Sequence, residues 1–309
     1  MQTLTTAVKG VFVIAVTPFT ESGAIDEASI DSMIDFYLDK GVDGLTLLGM
    51  MGEAAKLTHV ESVLVVRRAL ARAHGKPVIV GVSAPGLAAI GELTKAVMDA
   101  GASAVMVAPA AGLRTDDQIA AYFQDVAATL GAGVPLVIQD YPFGTGVTVA
   151  TKTLRRIVDS VGSVVMLKHE DWPGLAKISE FRAAEGQGGR RVSILCGNGG
   201  LFLPEEMERG ADGAMTGFAF PEMMVEVCRL GAKGEFERAR DVFDAYLPLV
   251  RYEQQPGVGL AVRKHVLAKR GAIASASQRR PGSTLSSVAL AEVERLLARQ
   301  ERRLVALAR

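Results

Sequence analysis

Cysteine and histidine are scarce in this sequence, with two of the first and four of the second in 309 residues. Cys196 and Cys228 fall in apolar stretches without the spacing of a metal or redox motif, so they read as reduced core thiols. His59, His74, His169 and His265 scatter over expected helices and the outward face of one strand, which leaves no ligand cluster for a metal. An excess of charge of one sign is also missing. Lys plus Arg and Asp plus Glu both total 34, which argues against nucleic acid or an anionic membrane as the main partner. No apolar run approaches the ~18 residues that a membrane span needs. The run 10–20 follows Lys9 but contains Pro18 and no small-residue cleavage pattern, so it reads as a strand and not a signal peptide. A soluble, cytoplasmic protein is expected. No serine nucleophile elbow occurs either.

What is present is a regular alternation, in a chain that is 49% hydrophobic and so able to fill one large core. Val11 to Val16 is a continuous apolar run, the mark of a strand covered on both faces. Asp26 to Lys40 then places Ile30, Met33, Ile34 and Tyr37 at helical spacing and closes on Gly41. Similar units follow, with N-terminal caps at Thr58 and Thr115. Eight strand-then-helix units within roughly 220 residues predict a (β/α)8 barrel, a TIM barrel. A doubly wound open sheet is the alternative, but Thr17-Pro18-Phe19-Thr20 stands where its phosphate-binding glycines would be. The expected organisation is a catalytic barrel over 1–230 and a three-helix extension over 231–309. Its helices are Glu235 to Tyr252, Val258 to Arg270 and Ser287 to Ala308. The last has Leu290, Val293, Leu297 and Leu304 on one face and solvated arginines on the other. Residues 273–282 read as a loop laid over the surface.

In a parallel barrel the working residues sit at the carboxyl ends of the strands. Lys168 is the one obvious covalent nucleophile there. It closes the apolar run from Val164, where a period of two sends Val164, Met166, Lys168 and Glu170 to one face. Val165, Leu167 and His169 take the other. A cation is costly at the end of a buried strand, and a neutral amine condenses with a ketone or aldehyde to a Schiff base. The plainer alternative is a lysine that snorkels into a loop or pairs with Glu170. Glu170, two residues on, is the expected acid–base group. Gln139 would orient substrate through its amide, and Tyr141 would add a hydroxyl if the strand persists past the bend at Pro142.

The turn Gly49-Met50-Met51-Gly52-Glu53 can present backbone N–H groups to an anion, or can simply be tight. Thr17, Asn198, Gly199 and Gly217 complete the expected substrate contacts. An amine facing a carboxylate-binding turn across a barrel mouth is the combination a 2-oxo acid requires.

These motifs resemble the dihydrodipicolinate synthase/N-acetylneuraminate lyase family over nearly the whole chain. The matching residues are Val16-Thr17-Pro18-Phe19, the turn Gly49 to Glu53, Pro142 with Thr145-Gly146, and Lys168. The resemblance implies a Schiff base from Lys168 to pyruvate or another 2-oxo acid, a carboxylate held by the turn, and a homotetramer. The departures matter as much. Gln139 stands in place of the family's relay tyrosine, Gly144 in place of an arginine that grips a second carboxylate, and Met50 in place of a relay threonine. Ala111 stands where a neighbouring subunit's tyrosine would be.

The Gln139-Asp140 strand end, Lys168 with Glu170, Gly213 to Gly217 and Ile273-Ala274-Ser275 are similar to the branch that dehydrates 2-keto-3-deoxy sugar acids. Dehydration of such an acid, with no cofactor, is the expected activity. Retro-aldol cleavage to pyruvate and an aldehyde is the nearest alternative. A silent 2-oxo-acid-binding protein is an alternative of another class. Met50, Met51, Phe143 and Trp172 either pack only or make the pocket more apolar than the family's.

Overall fold

The computed structural model describes residues 3–307; Ala308, expected to end the last helix, lies outside them. Short apolar runs make the strands β1 (Gly10–Ile14), β2 (Gly44–Leu47), β3 (Val78–Gly81) and β4 (Ala104–Val107). The circle continues with β5 (Leu136–Asp140), β6 (Val164–His169), β7 (Ser193–Cys196) and β8 (Gly213–Ala214). All pair in parallel, and β8 returns to β1 to close the barrel. Around it run α1 (Glu27–Asp39), α2 (His59–Arg72), α3 (Leu87–Ala100), α4 (Asp116–Leu130), the single turn α5 (Pro142–Thr145), and α6 (Thr151–Ser160). Next come α7 (Leu175–Gly186), α8 (Leu203–Glu208) and α9 (Pro221–Gly231). The chain ends with α10 (Phe236–Glu253), α11 (Gly259–Lys269) and α12 (Ser287–Leu307).

The period of two along each strand builds two cores. Phe12, Ile79, Met106, Val137, Met166 and Leu195 fill the barrel, while Val13, Leu45, Val80, Val105, Leu167 and Ile194 meet the helices. Each such side chain contributes about 1.5–3 kcal/mol by leaving water, which is why the strands read as unbroken apolar runs. Reciprocal capping boxes open α2 at Thr58 and α4 at Thr115. Helix α2 stops at Arg72, and His74 just beyond it turns left-handed at φ 47°.

One expectation about the strands needs correction. Leu136 pairs with Val164 but Val137 pairs with Met166, so β6 carries one extra residue at Val165. This bulge turns Val164 outward into the helix-facing core, while Met166, Lys168 and Glu170 keep the inner face. The eighth strand is only Gly213–Ala214, yet Met215 N–H still donates to Cys196 O and Ile14 N–H to Thr216 O. The chain therefore stays extended to the barrel mouth.

The C-terminal helices are not peripheral. Helix α10 packs on α8, α9, α11 and α12, and Val293 of α12 is fully buried. The arginines Arg295, Arg299, Arg302 and Arg303 face solvent. The 273–282 segment does more than lie on the surface. Arg279 reaches back to Glu61, Gly23 O and Lys56 O, and its own N–H donates to Glu53. Among the described residues, no helix is long and apolar enough to cross a membrane. Nor do any three His, Cys, Asp or Glu gather there as a metal-holding group.

Behind β7, Glu206 of α8 is buried beside the free thiols Cys196 and Cys228. Burial pushes the Glu206 carboxyl up to about 8 and holds both thiols protonated. From about pH 4.5 to 8 the folded chain keeps a proton there that the unfolded chain releases, so stability falls as pH rises through that window. Glu206→Gln should match the native chain at pH 5. By pH 8 it should be the more stable on the order of a few kcal/mol, since every tenfold displacement of a proton equilibrium is worth ~1.4 kcal/mol. Urea melts at the two pH values measure this; parallel curves would refute it.

Candidate active site

Strands β5 and β6 bring Gln139, Lys168 and Glu170 together at the barrel mouth. Lys168 Nζ lies 2.9 Å from Glu170 Oε2, and Gln139 Nε2 donates to the same oxygen at 2.7 Å. Lys168 and Glu170 are 4% and 9% exposed, so the two groups face each other in a medium that screens their charges poorly. The Glu170 backbone is pinned on both sides, its N–H donating to Asp140 O and its carbonyl accepting from Asn198 Nδ2 at 3.2 Å.

The outer face of the same strands is locked separately. Lys177 of α7 lies 2.8 Å from Asp140 Oδ2 and 2.6 Å from Asp171 Oδ2, and donates to Val149 O. His169 Nε2 is 3.0 Å from Gly174 O. These contacts fix the strand ends from behind and leave the inner pair to face the cavity.

Beyond β5 the chain bends at Pro142 into α5, and Tyr141 nonetheless lines the cavity. Burial first, and the Glu170 charge second, push its hydroxyl above the usual phenol range. At neutral pH it is a proton donor and not a base.

The turn after β2 is built under strain. Leu48 and Glu53 both adopt φ 55°, a conformation that non-glycine residues rarely hold. Between them Met50–Gly52 form a short 3-10 helix, whose first N–H groups have no partner within it. Thr17 Oγ1 donates to Gly52 O at 2.6 Å. Glu53 is gripped by Lys264, Lys56 and the Arg279 N–H, and Lys264 also donates to Thr17 O and Ser277 O. Burial lowers the pKa of Lys264, and the Glu53 carboxylate opposes that.

On the opposite wall, Gly199 N–H donates to Thr216 Oγ1 at 2.7 Å. Two side chains from the C-terminal helices cover the glycines here. A Cβ at Gly199, held at φ 66°, would strike the Gln254 amide, and one at Gly217 the Arg263 guanidinium. The close approach that these glycines permit is thus made by the protein itself. Arg263 is 1% exposed. Its Nε donates to buried Glu253, whose other oxygen accepts from Ala219 N–H.

These walls enclose a cavity of about 80 Å³. Of the residues expected to touch substrate or do chemistry, Lys168, Glu170, Gln139, Tyr141, Met50, Met51, Asn198, Gly199 and Gly217 line it. Thr17, Gly49 and Gly52 do not; they stand behind the turn and set its shape. Ile14, Thr216, Gln254 and Arg263 also line it without having been expected to. Nothing in the sequence around 254 or 263 marks those two, and the glycines facing them were the only trace. Met50, Phe143 and Trp172 are over half exposed at the rim, with Trp172 stacked edge-on against Phe202 at 5.1 Å, so they are not core packing. A larger groove of about 410 Å³ lies outside the barrel, between α11 and residues 275–285, away from the strand-end groups.

The same architecture occurs in a dihydrodipicolinate synthase from Rhodopseudomonas palustris. It is 52% identical, with a TM-score of 0.95 over 97% of this chain and 100% of that one. A 4-hydroxy-tetrahydrodipicolinate synthase of Persephonella marina is 32% identical over 247 residues, 79% of this chain and 82% of its own. An L-2-keto-3-deoxyarabonate dehydratase of Azospirillum brasilense is 28% identical over 279 residues, 88% of each chain. Residues 7–300 match the Dihydrodipicolinate synthetase family, and the chain belongs to that family of lyases.

Proposed function

We propose that this protein forms a Schiff base between Lys168 and a small 2-oxo acid, and that it dehydrates a 2-keto-3-deoxy sugar acid. The observation that carries the reading is the buried Lys168–Glu170 contact at 2.9 Å, with Gln139 on the same carboxylate oxygen. Glu170 takes a proton from the Lys168 ammonium, and the freed amine attacks C2 of the keto group. Glu170 passes that proton on to the carbinolamine hydroxyl, which leaves as water, and the iminium that remains draws electrons from C3. Glu170 then removes the C3 proton and returns it to the C4 hydroxyl, which departs as water. Hydrolysis of the iminium restores Lys168 and releases the dehydrated oxo acid. The N–H groups of the Met50–Gly52 turn would hold the carboxylate at C1.

Residues at the mouth favour dehydration over condensation with a second acid. Gly144 offers no charge to a second carboxylate, and Gln139 cannot titrate. A dehydratase relative aligned over 88% of the chain supports the same reading, although other relatives carry the synthase name. Retro-aldol cleavage shares every step up to the iminium and differs in its products.

Pyruvate with borohydride should label the chain irreversibly, and peptide mapping should place the adduct on Lys168. With a panel of 2-keto-3-deoxy acids, one unsplit dehydrated oxo acid is expected. Pyruvate plus an aldehyde would identify an aldolase instead, and an unlabelled chain that still turns over would end the Schiff-base account.

A further inference from the structure

Two donors in the cavity wall have no partner among the described residues. Arg263 Nη1 and Gln254 Nε2 are both buried, line the cavity with Lys168, and donate to nothing. A buried donor left unpaired is costly, and here the cost falls on two groups in one wall. Both nitrogens can only donate, so what completes them is an acceptor.

The charges define that acceptor further. Arg263 is already paired with Glu253, and Lys168 with Glu170. No unmatched positive charge remains for a second carboxylate, and an added anion would be desolvated without compensation. A neutral oxygen fits. On the reading above, the acid end of the substrate faces the Met50–Gly52 turn and C2 is bonded to Lys168. The unmet donors of the wall then face the rest of its carbon chain.

We propose that Gln254 and Arg263, carried by helices outside the barrel, form a donor pair that binds a hydroxyl oxygen on the substrate's carbon chain beyond C3. The inference rests on the Schiff-base reading and deepens it. The pair selects a hydroxylated chain over an alkyl one, because an alkyl chain leaves both donors buried and unpaired. Glu253 is the positioning residue, since its carboxylate fixes the guanidinium through Nε.

The test uses borohydride trapping of the full chain with three acids: pyruvate, 2-oxopentanoate and 4,5-dihydroxy-2-oxopentanoate. The reading is the concentration giving half-maximal adduct by intact mass. In the native protein the dihydroxy acid should label at about tenfold lower concentration than 2-oxopentanoate, the equivalent of ~1.4 kcal/mol. Gln254→Met removes the donor at similar volume and leaves the Arg263–Glu253 pair in place. It should narrow that preference at least threefold and weaken pyruvate labelling less than labelling by the dihydroxy acid. Arg263→Lys keeps a cation opposite Glu253 and should narrow it likewise.

A preference that survives both variants overturns the inference. So does pyruvate labelling that weakens as much as labelling by the dihydroxy acid, since the pair would then serve the C1 carboxylate or the fold. Labelling without preference in the native protein overturns the inference alone. No pyruvate label on the native protein overturns the Schiff-base reading and takes the inference with it.

Discussion

Lys168→Arg should abolish the borohydride adduct and lower turnover by at least about 10³-fold, as expected when a covalent nucleophile is removed. The guanidinium keeps a cation beside Glu170 but stays protonated and cannot condense with a ketone. Lys168→Ala should be equally inactive and also less stable by roughly 3 kcal/mol, because Glu170 is left buried with Gln139 alone. Comparing the two separates lost chemistry from lost folding. Glu170→Gln should behave differently. It keeps the amine but loses the base that frees it, so a pyruvate label should still form but more slowly, while dehydration falls on the order of 10²–10⁴-fold for want of the proton carrier. Turnover of Lys168→Arg within tenfold of the native rate would remove this residue from the mechanism. Undiminished dehydration by Glu170→Gln would move the acid–base role elsewhere, with Tyr141 offering a phenol on the same cavity wall.

Glu53→Ala should cost roughly 3–5 kcal/mol of folding stability, the range for breaking a buried ion pair from one side. Its side chain is gripped by two lysines and a backbone N–H, and it stands in the left-handed region at φ 55°. Losing the carboxylate leaves Lys264 fully buried with two carbonyls and the Phe19 ring but no countercharge. It also frees the strained turn that presents the Met50 and Met51 N–H groups. Pyruvate labelling should therefore need a concentration about tenfold higher or more. Glu53→Gly relieves the backbone strain and removes the same bonds, so it should fall between the native protein and Glu53→Ala in stability. Joint replacement of Glu53 by Leu and Lys264 by Met should recover much of the stability and none of the labelling. If urea melts of Glu53→Ala move by less than about 1 kcal/mol, the pair is solvated in solution and this account of the turn is wrong.

Much of this was legible along the chain. Residues Val11 to Val16 are buried on both sides because a parallel strand has helices over one face and a filled barrel under the other. That physical demand writes itself as an unbroken apolar run. Thr58 with Glu61 and Thr115 with Gln118 cap helices by bonds reaching only three residues, so they too could be read locally. Lys168 and Glu170 came together because a period of two needs no knowledge of the fold. The bulge at Val165 was hidden, since register belongs to a pair of strands and Val164 looks like any other apolar residue.

Sequence alone determined the barrel, the lysine at 168 on its inner face, and the carboxylate two residues on, because each depends on near neighbours in the chain. The tertiary structure decided the rest of the site. Gln254 and Arg263 reach Gly199 and Gly217 from helices that follow the last strand, and Lys264 and Arg279 reach Glu53 across more than two hundred residues. Helix periodicity records only which face of a helix is buried, and a buried arginine carries no mark of which glycine it covers. Those pairings come from closure of the barrel and the return of α10 and α11 over its mouth, a geometry that no local stretch encodes.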